Sequence, residues 1–110
     1  MDLPGLLSSN RFHEIITHYE SLDGFVFEDN PGESNVLAAS YFKSGSFQKA
    51  YEVLVNLESA LYNDPDYLSL FGATCRRLML LDKAKFYFMR AIELNPNSIQ
   101  YKNNYSNLLI

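Results

Sequence analysis

The chain matches itself when it is shifted by 34 residues, and this internal repeat limits how it can fold more than any other feature. Five residues are identical between the two copies: Pro31 pairs with Pro65, Ala39 with Ala73, Lys49 with Lys83, Ala50 with Ala84 and Asn63 with Asn97. A fixed period of this length is typical of stacked helical units, in which each copy buries its apolar face against the next.

Apolar residues within each copy recur at helical spacing. The second copy carries two such stripes, namely Leu68, Phe71, Gly72, Cys75 and Leu78, and then Ala84, Tyr87, Phe88, Ala91 and Ile92. Residues three and four positions apart share one face of an α-helix. In the first copy, Gly45 lies where one helix would end and Ser46 where the next would be capped. Each copy is therefore predicted to be two antiparallel helices joined by a short turn.

Small residues mark the places where the two helices of a pair would approach most closely. Ala38 and Gly72 occupy equivalent positions on the first helices, and Ala50 and Ala84 occupy equivalent positions on the second helices. A larger side chain at such a position would force the helices apart. We therefore expect these four residues to lie in the helix interfaces.

The second copy resembles the tetratricopeptide repeat (TPR), a helix-turn-helix unit of the same length. Eight of its residues fall in order on the characteristic TPR positions: Leu68, Phe71, Gly72, Cys75, Ala84, Phe88, Ala91 and Pro96. Leu68, Phe71 and Cys75 are substitutions of the usual residues. The first copy is more divergent, with Ser34 at the large first position and Leu57 at the second alanine. The resemblance implies an all-α fold, a right-handed α-solenoid of antiparallel helix pairs.

The resemblance extends towards both ends of the chain. An apolar stripe near the N-terminus repeats the pattern of a second helix and consists of Phe12, Ile15, Ile16, Tyr19 and Leu22. We expect a single TPR-like domain over 1–110 with about seven helices, including a short first helix at about 2–8. It is divided into a degenerate N-terminal repeat (1–24), a linker (25–32), two repeats (31–64 and 65–98) and a half repeat or terminal helix (98–110).

The chain ends with Asn107 and three apolar residues, 108–110, whereas helical-repeat proteins usually need a polar capping surface at each end. Two explanations are open. The chain is a fragment of a longer array, or its last helix self-associates with another copy or is completed by a partner.

Composition argues against several classes of partner. Thirteen acidic and nine basic residues give a formal charge of −4, which opposes the phosphate neutralisation that nucleic-acid binding needs. No stretch approaches the length of a membrane span, and the start does not resemble a signal peptide. The single cysteine, Cys75, cannot form an internal disulfide. We expect a cytoplasmic protein that binds neither nucleic acid nor membrane.

We predict no catalytic, cofactor-binding or metal site. His13 and His18 are five residues apart, so their rings point in different directions from one helix and cannot converge on a metal ion. Cys75 lies on an apolar stripe, where burial as a small hydrophobe accounts for it, and no histidine is placed to serve as its base. The protein is therefore expected not to be an enzyme.

The TPR resemblance implies a binding surface on the first helix of each repeat, which lines the concave side of such solenoids. The predicted groove residues are Asn35, Ala39, Phe42, Lys43, Ser69, Ala73, Arg76, Arg77, Asn103 and Asn107. The alanines leave room for a peptide, the asparagines can bond its backbone, and the cationic side chains favour an acidic ligand.

We therefore expect a non-catalytic protein–protein interaction or assembly module that binds a peptide or partner segment in this groove. Two alternatives stay open. The chain is a TPR fragment of a larger enzyme that positions a substrate or mediates dimerisation, or its groove is an ordinary polar surface in a unit that spaces other domains.

TPR proteins that hold chaperone C-terminal tails use lysine and asparagine residues on successive first helices. The corresponding positions of this sequence hold Asn35, Ala39 and Leu70. The resemblance therefore does not predict recognition of such tails.

Overall fold

A computed structural model of the chain describes residues 11–27 and 29–109, with the last four of these as helix backbone only. Every regular element in these ranges is a helix. The helices are α1 (Phe12–Glu20), α2 (Pro31–Lys43), α3 (Phe47–Val55), α4 (Glu58–Leu61), α5 (Pro65–Arg77), α6 (Leu81–Leu94) and α7 (Ile99–Leu109). The chain divides into two compact units between Ala60 and Leu61.

The turn between α2 and α3 closes the helix pair of the first unit. The amide of Ser46 donates to the carbonyl of Tyr41 at 2.8 Å, and the amide of Gly45 donates to that of Phe42 at 3.1 Å. This pattern ends a helix with a residue in the left-handed region, and Gly45 has φ 90° as the sequence predicted. Ser46 precedes α3, but its side chain makes no capping hydrogen bond. The prediction that Ser46 can cap α3 is therefore wrong for the side chain.

The first unit packs α1 and α3 against α2. Its buried apolar residues include Ile15, Tyr19, Leu37, Ala38, Tyr41, Ala50, Val53 and Leu54. Two tyrosine hydroxyls connect α1 to α2: Tyr19 donates to Glu33 at 3.0 Å, and Tyr41 donates to Glu20 at 2.7 Å. Hydrogen bonds to a charged acceptor are stronger than neutral ones, so these contacts fix the register of the two helices.

The predicted apolar stripe of α1 ends earlier than the sequence indicated. α1 stops at Glu20, and the chain then turns through Gly24, which has φ 74°. Leu22 is consequently 40% exposed, and its prediction as part of the stripe is wrong. The ring of Phe25 packs edge-on against Tyr19 instead, with centroids 5.1 Å apart.

The second unit begins with a capped helix. Asp64 precedes α5, and its carboxylate accepts hydrogen bonds from the amides of Asp66 at 3.0 Å and Tyr67 at 3.4 Å. Pro65 occupies the first turn, where its missing N–H costs nothing. These residues explain why α5 begins where the second repeat was predicted to begin.

The turn between α5 and α6 has the same backbone pattern as the turn of the first unit. The amide of Leu80 donates to the carbonyl of Cys75 at 2.8 Å, and the amide of Met79 donates to that of Arg76 at 3.1 Å. Met79 takes the place of the glycine and has φ 63°. It is the one non-glycine residue of the described chain with a positive φ.

Aromatic and small residues hold α5 against α6. The rings of Phe71 and Tyr87 stack with centroids 4.2 Å apart. Gly72 and Ala84 are buried between the helices, which confirms the reason given for their small size. α7 packs against α6 and, less extensively, against α5.

Two parts of the predicted organisation differ from the structure or lie outside it. The four-residue helix α4 was not predicted. The predicted first helix at about 2–8 lies outside the described residues, as do the side chains of 107–110. Of the helices that the structure describes, none is both long enough and apolar enough to cross a membrane.

Candidate functional site

Four of the predicted groove residues share one face of α2 in the first unit. Asn35, Ala39 and Phe42 are half-buried, and Lys43 is exposed at the end of the helix. Their spacing of three and four residues places them on the same side. The ring of Phe42 packs edge-on against Phe47 of α3, with centroids 5.3 Å apart. Phe42 therefore contributes to the packing of the helix pair as well as to this face.

Lys43 is placed by α1. Its Nζ lies 5.8 Å from the centroid of the Phe12 ring, within the range of a cation–π contact. The ammonium group nevertheless stays at the surface, since the residue is exposed. Lys43 can thus present its charge to a ligand from a defined position.

Asn35 carries an unsatisfied polar atom. Its Oδ1 is buried and accepts no hydrogen bond from any described residue. A buried acceptor without a donor costs free energy, and most such atoms in folded proteins have a partner. The side chain of Asn35 has to turn outwards before this oxygen can accept an N–H from a bound segment.

The corresponding face of α5 lies in the second unit. It carries Ser69, Ala73, Arg76 and Arg77, of which the two arginines are exposed and the other two half-buried. Both arginines lie in the last turn of α5, where the helix dipole favours cations. This face offers a small residue, Ala73, beside two groups that bind carboxylates well.

α7 covers part of the α5 face. The side-chain amide of Asn104 donates to the hydroxyl of Ser69 at 3.1 Å, and the hydroxyl of Tyr101 donates to the carboxylate of Asp66. Ser69 is therefore engaged within the unit. Asn103, which was predicted to face the groove, is exposed, and the side chain of Asn107 lies outside the described residues.

The contacts of Asn104 and Tyr101 were not anticipated from the sequence. Each residue lies 35 positions after its partner on α5, close to the repeat period. This spacing is the sequence signal that could have indicated these contacts, because it places each residue and its partner at nearly equivalent positions of neighbouring first helices.

Electrostatics at the tyrosines follow from burial and from their carboxylate partners. Burial, together with Asp66, raises the pKa of Tyr101 to about 12. Burial and Glu33 likewise raise the pKa of Tyr19 to about 12. Deprotonation would place two negative charges side by side, so these tyrosines act as neutral donors in structural hydrogen bonds.

Cys75 has the environment of a structural thiol. It is fully buried between the helices of the second unit, as predicted. Burial raises its pKa to about 11, although the charge of Lys83 acts in the opposite direction. Because the thiolate is the reactive form, this thiol is a poor nucleophile at neutral pH.

The residues considered for metal binding do not form a cluster. His13 and His18 border a depression on α1 together with Glu14 and Thr17. Across the part of the chain that the structure describes, no three His, Cys, Asp or Glu side chains come together to hold an ion.

No protein-family model matches the sequence, and no curated protein matches it. Several solved structures are nevertheless similar to the chain. The first TPR of Spaghetti (RPAP3), bound to the HSP90 peptide SRMEEVD, is similar with a TM-score of 0.82 at 22% identity, over 97% of this chain and 84% of that chain. The NMR structure of the first TPR domain of human RPAP3 gives 0.80 at 20% identity, with the same coverage. The chain thus has an all-α, TPR-like fold of helix pairs, which confirms the predicted all-α, TPR-like class.

Proposed function

We propose that this chain is a non-catalytic protein–protein interaction or assembly module that binds a peptide or partner segment through the first helices of its repeats. The observation that carries the proposal is its similarity to TPR domains, one of which was solved with a bound peptide. We also place its action in the cytoplasm, which suits a chain whose single cysteine is a buried thiol.

Asn35 supports main-chain recognition on the α2 face. Its buried Oδ1 has no donor among the described residues, whereas a peptide segment supplies an N–H at nearly every residue. Ala39 lies one turn further along the same face and is only half-buried, so it leaves room for that segment. Binding would satisfy the Asn35 acceptor once its side chain turns towards the segment.

Charge supports an acidic ligand at the α5 face. Residues 61–110 contain six basic and four acidic side chains, a formal charge of +2 within a chain of −4. Arg76 and Arg77 concentrate that charge on the last turn of α5, and both are exposed. Guanidinium groups form strong hydrogen bonds with carboxylates, so we expect the bound segment to be acidic.

The ligand is expected to differ from the HSP90 peptide bound by the RPAP3 domain. The lysine and asparagine positions of TPR proteins that hold chaperone C-terminal tails are occupied here by Asn35, Ala39 and Leu70. The SRMEEVD peptide is therefore a useful reference ligand, for which we expect weaker binding than for the preferred sequence.

The proposal is tested by selecting ligands from a phage-displayed random-peptide library with the wild-type chain. The dissociation constants of the enriched peptides are then measured for the Arg76→Glu/Arg77→Glu variant. Loss of a charged-group hydrogen bond of roughly 1.5–3 kcal/mol predicts binding about tenfold weaker or more. The variant Arg11→Glu/Lys102→Glu has the same change in net charge at two exposed residues outside the α5 face, and it is the control.

Two results would contradict the proposal. One is that the arginine variant keeps full affinity at low salt for every enriched peptide. The other is that Ala73→Arg, which fills the middle of the α5 face, also leaves every affinity unchanged. Circular dichroism of each variant shows whether its helices are intact.

A further inference from the structure

The turn between α5 and α6 exposes more apolar surface than a solvated turn needs. Met79 is 73% exposed, Leu80 37% and Leu81 46%. We call residues 76–85 the hairpin tip, since they comprise the end of α5, the turn and the start of α6. Clustered exposed apolar residues, unlike isolated ones, mark sites of interaction.

The backbone of the turn does not require these residues. The equivalent turn of the first unit has the same hydrogen-bond pattern and is built by Ser44, Gly45 and Ser46. At the position of Gly45, the hairpin tip has Met79 with φ 63°, a conformation that is unfavourable for a residue with a β-carbon. The tip thus keeps a large apolar side chain where glycine would form the turn with less strain, and such strain is typical of functional positions.

Cations surround the apolar residues. Arg76, Arg77, Lys83 and Lys85 are exposed, and Asp82 is the one acidic residue of the hairpin tip, which gives the tip a formal charge of +3. The rest of the chain is strongly acidic by comparison, because the whole chain carries −4. A basic surface with an apolar centre is complementary to an acidic segment with an apolar residue.

The apolar residues form a hollow. A shallow depression at the turn is lined by Met79, Leu80, Leu81, Asp82 and Lys83. A depression of this kind fits one protruding apolar side chain better than a flat surface does, and methionine adapts its shape readily to a partner.

We propose that the hairpin tip is a second docking surface, centred on the exposed turn rather than on the middle of the first-helix faces, with Arg76 and Arg77 common to the tip and the α5 face. Its occupant is an acidic segment of a partner protein, with one apolar side chain in the depression and carboxylates on the surrounding cations. A peptide is favoured over an anionic bilayer because the bilayer meets the whole molecule and is repelled by its net charge of −4.

The test uses peptides selected from a phage-displayed random-peptide library, with binding to the intact chain measured by fluorescence anisotropy. The tip variant is Met79→Gly/Lys85→Glu, which removes the most exposed apolar side chain and one cation of the tip without breaking the turn. Ile99→Ser/Lys102→Glu is the control, because Ile99 is 73% exposed at the start of α7 and Lys102 is exposed on the same helix. A third variant, Ala73→Arg, blocks the α5 face.

We expect one group of enriched peptides to carry an apolar residue flanked by acidic residues. Their binding should weaken about tenfold or more in the tip variant, and less than about twofold in the control and in Ala73→Arg. The proposal is overturned if no such peptides are enriched, if the tip variant binds them as well as the control does, or if Ala73→Arg alone abolishes binding. That last result would leave the first-helix proposal intact.

Two further measurements distinguish other occupants. Co-sedimentation with phosphatidylserine vesicles tests a lipid surface, and sedimentation velocity tests a second copy of the chain. If the tip variant loses either of these interactions while peptide binding is unaffected, the acidic-peptide proposal is wrong.

Discussion

Gly72 lies so close to Phe88 that a β-carbon on Gly72 would come within 2.6 Å of the Cδ1 and Cε1 atoms of the ring. Phe88 is 1% exposed, so its ring cannot swing out into solvent to make room. The approach of α5 to α6 therefore depends on the absence of a side chain at this position.

Gly72→Ala should destabilise the protein. Forcing a methyl group into a packed interface typically costs about 1–3 kcal/mol, more than the roughly 1 kcal/mol by which alanine favours a helix over glycine. Urea unfolding followed by circular dichroism measures the change. Gly32→Ala is the matched control, because Gly32 lies in α2 and a β-carbon there meets nothing within 4 Å. The free energy of unfolding of Gly32→Ala should rise by about 0.4–1 kcal/mol. A rise in both variants would contradict the close contact between Gly72 and Phe88.

Ala84→Leu should also lower the free energy of unfolding, by roughly 1–3 kcal/mol. Ala84 is completely buried on α6, so the added methylene groups have to displace neighbouring side chains. Ala39→Leu is the comparison, because Ala39 is only half-buried on α2 and the longer side chain can reach solvent. Chemical denaturation should show a clearly larger loss in the free energy of unfolding for Ala84→Leu than for Ala39→Leu. The opposite order would mean that the repeat alignment assigns the wrong residues to the helix interface.

Met79→Gly should raise stability by about 1 kcal/mol. Glycine adopts a positive φ without the steric penalty that methionine has there, and Met79 is mostly exposed, so little packing is lost. Met89→Gly is the matched control, since Met89 is exposed within α6, where glycine should cost about 1 kcal/mol. Equal losses of stability in both variants, measured by urea unfolding, would show that the Met79 backbone is not strained.

The sequence predicted the repeated helix pairs because several independent signals agreed. The offset identities, the apolar stripes and Gly45 all indicated a helix-turn-helix unit, and each depends on local chain geometry. Pro65 and Asp64 similarly mark the start of α5 in the sequence, and Asp64 caps that helix in the structure.

The contacts between side chains on different helices were harder to predict from the sequence than the helices themselves. The sequence placed Asn103 on the inward face of the last helix, whereas its neighbour Asn104 reaches Ser69. The rotation of α7 depends on how Tyr101 packs and bonds to Asp66, a tertiary effect that helical spacing alone does not contain. The left-handed Met79 was missed because the backbone hydrogen bonds of the turn impose a positive φ at a position where the sequence has no glycine to indicate it.

The Tyr101–Asp66 contact predicts how stability depends on pH. In the folded protein the pKa of Tyr101 is about 12, above the value of 10.0 for an unperturbed tyrosine. Because the folded state favours the protonated hydroxyl, the stabilisation is fully present below pH 10 and is lost as the pH rises through 12. The free energy of unfolding should therefore fall in this alkaline range.

Tyr101→Phe isolates this contribution. At about pH 8 the variant should be less stable than the wild type by about 0.5–1.5 kcal/mol, the usual net value of one hydrogen bond. The difference should shrink as the pH rises from 10 towards 12, because Tyr101 ionises in the unfolded wild type while it stays protonated in the folded protein. Tyr62→Phe is the control at pH 8, since the Tyr62 hydroxyl makes no hydrogen bond with a described residue and its removal should change the free energy of unfolding little. If the Tyr101→Phe difference stays constant as the pH rises, the hydroxyl does not donate to Asp66 in solution.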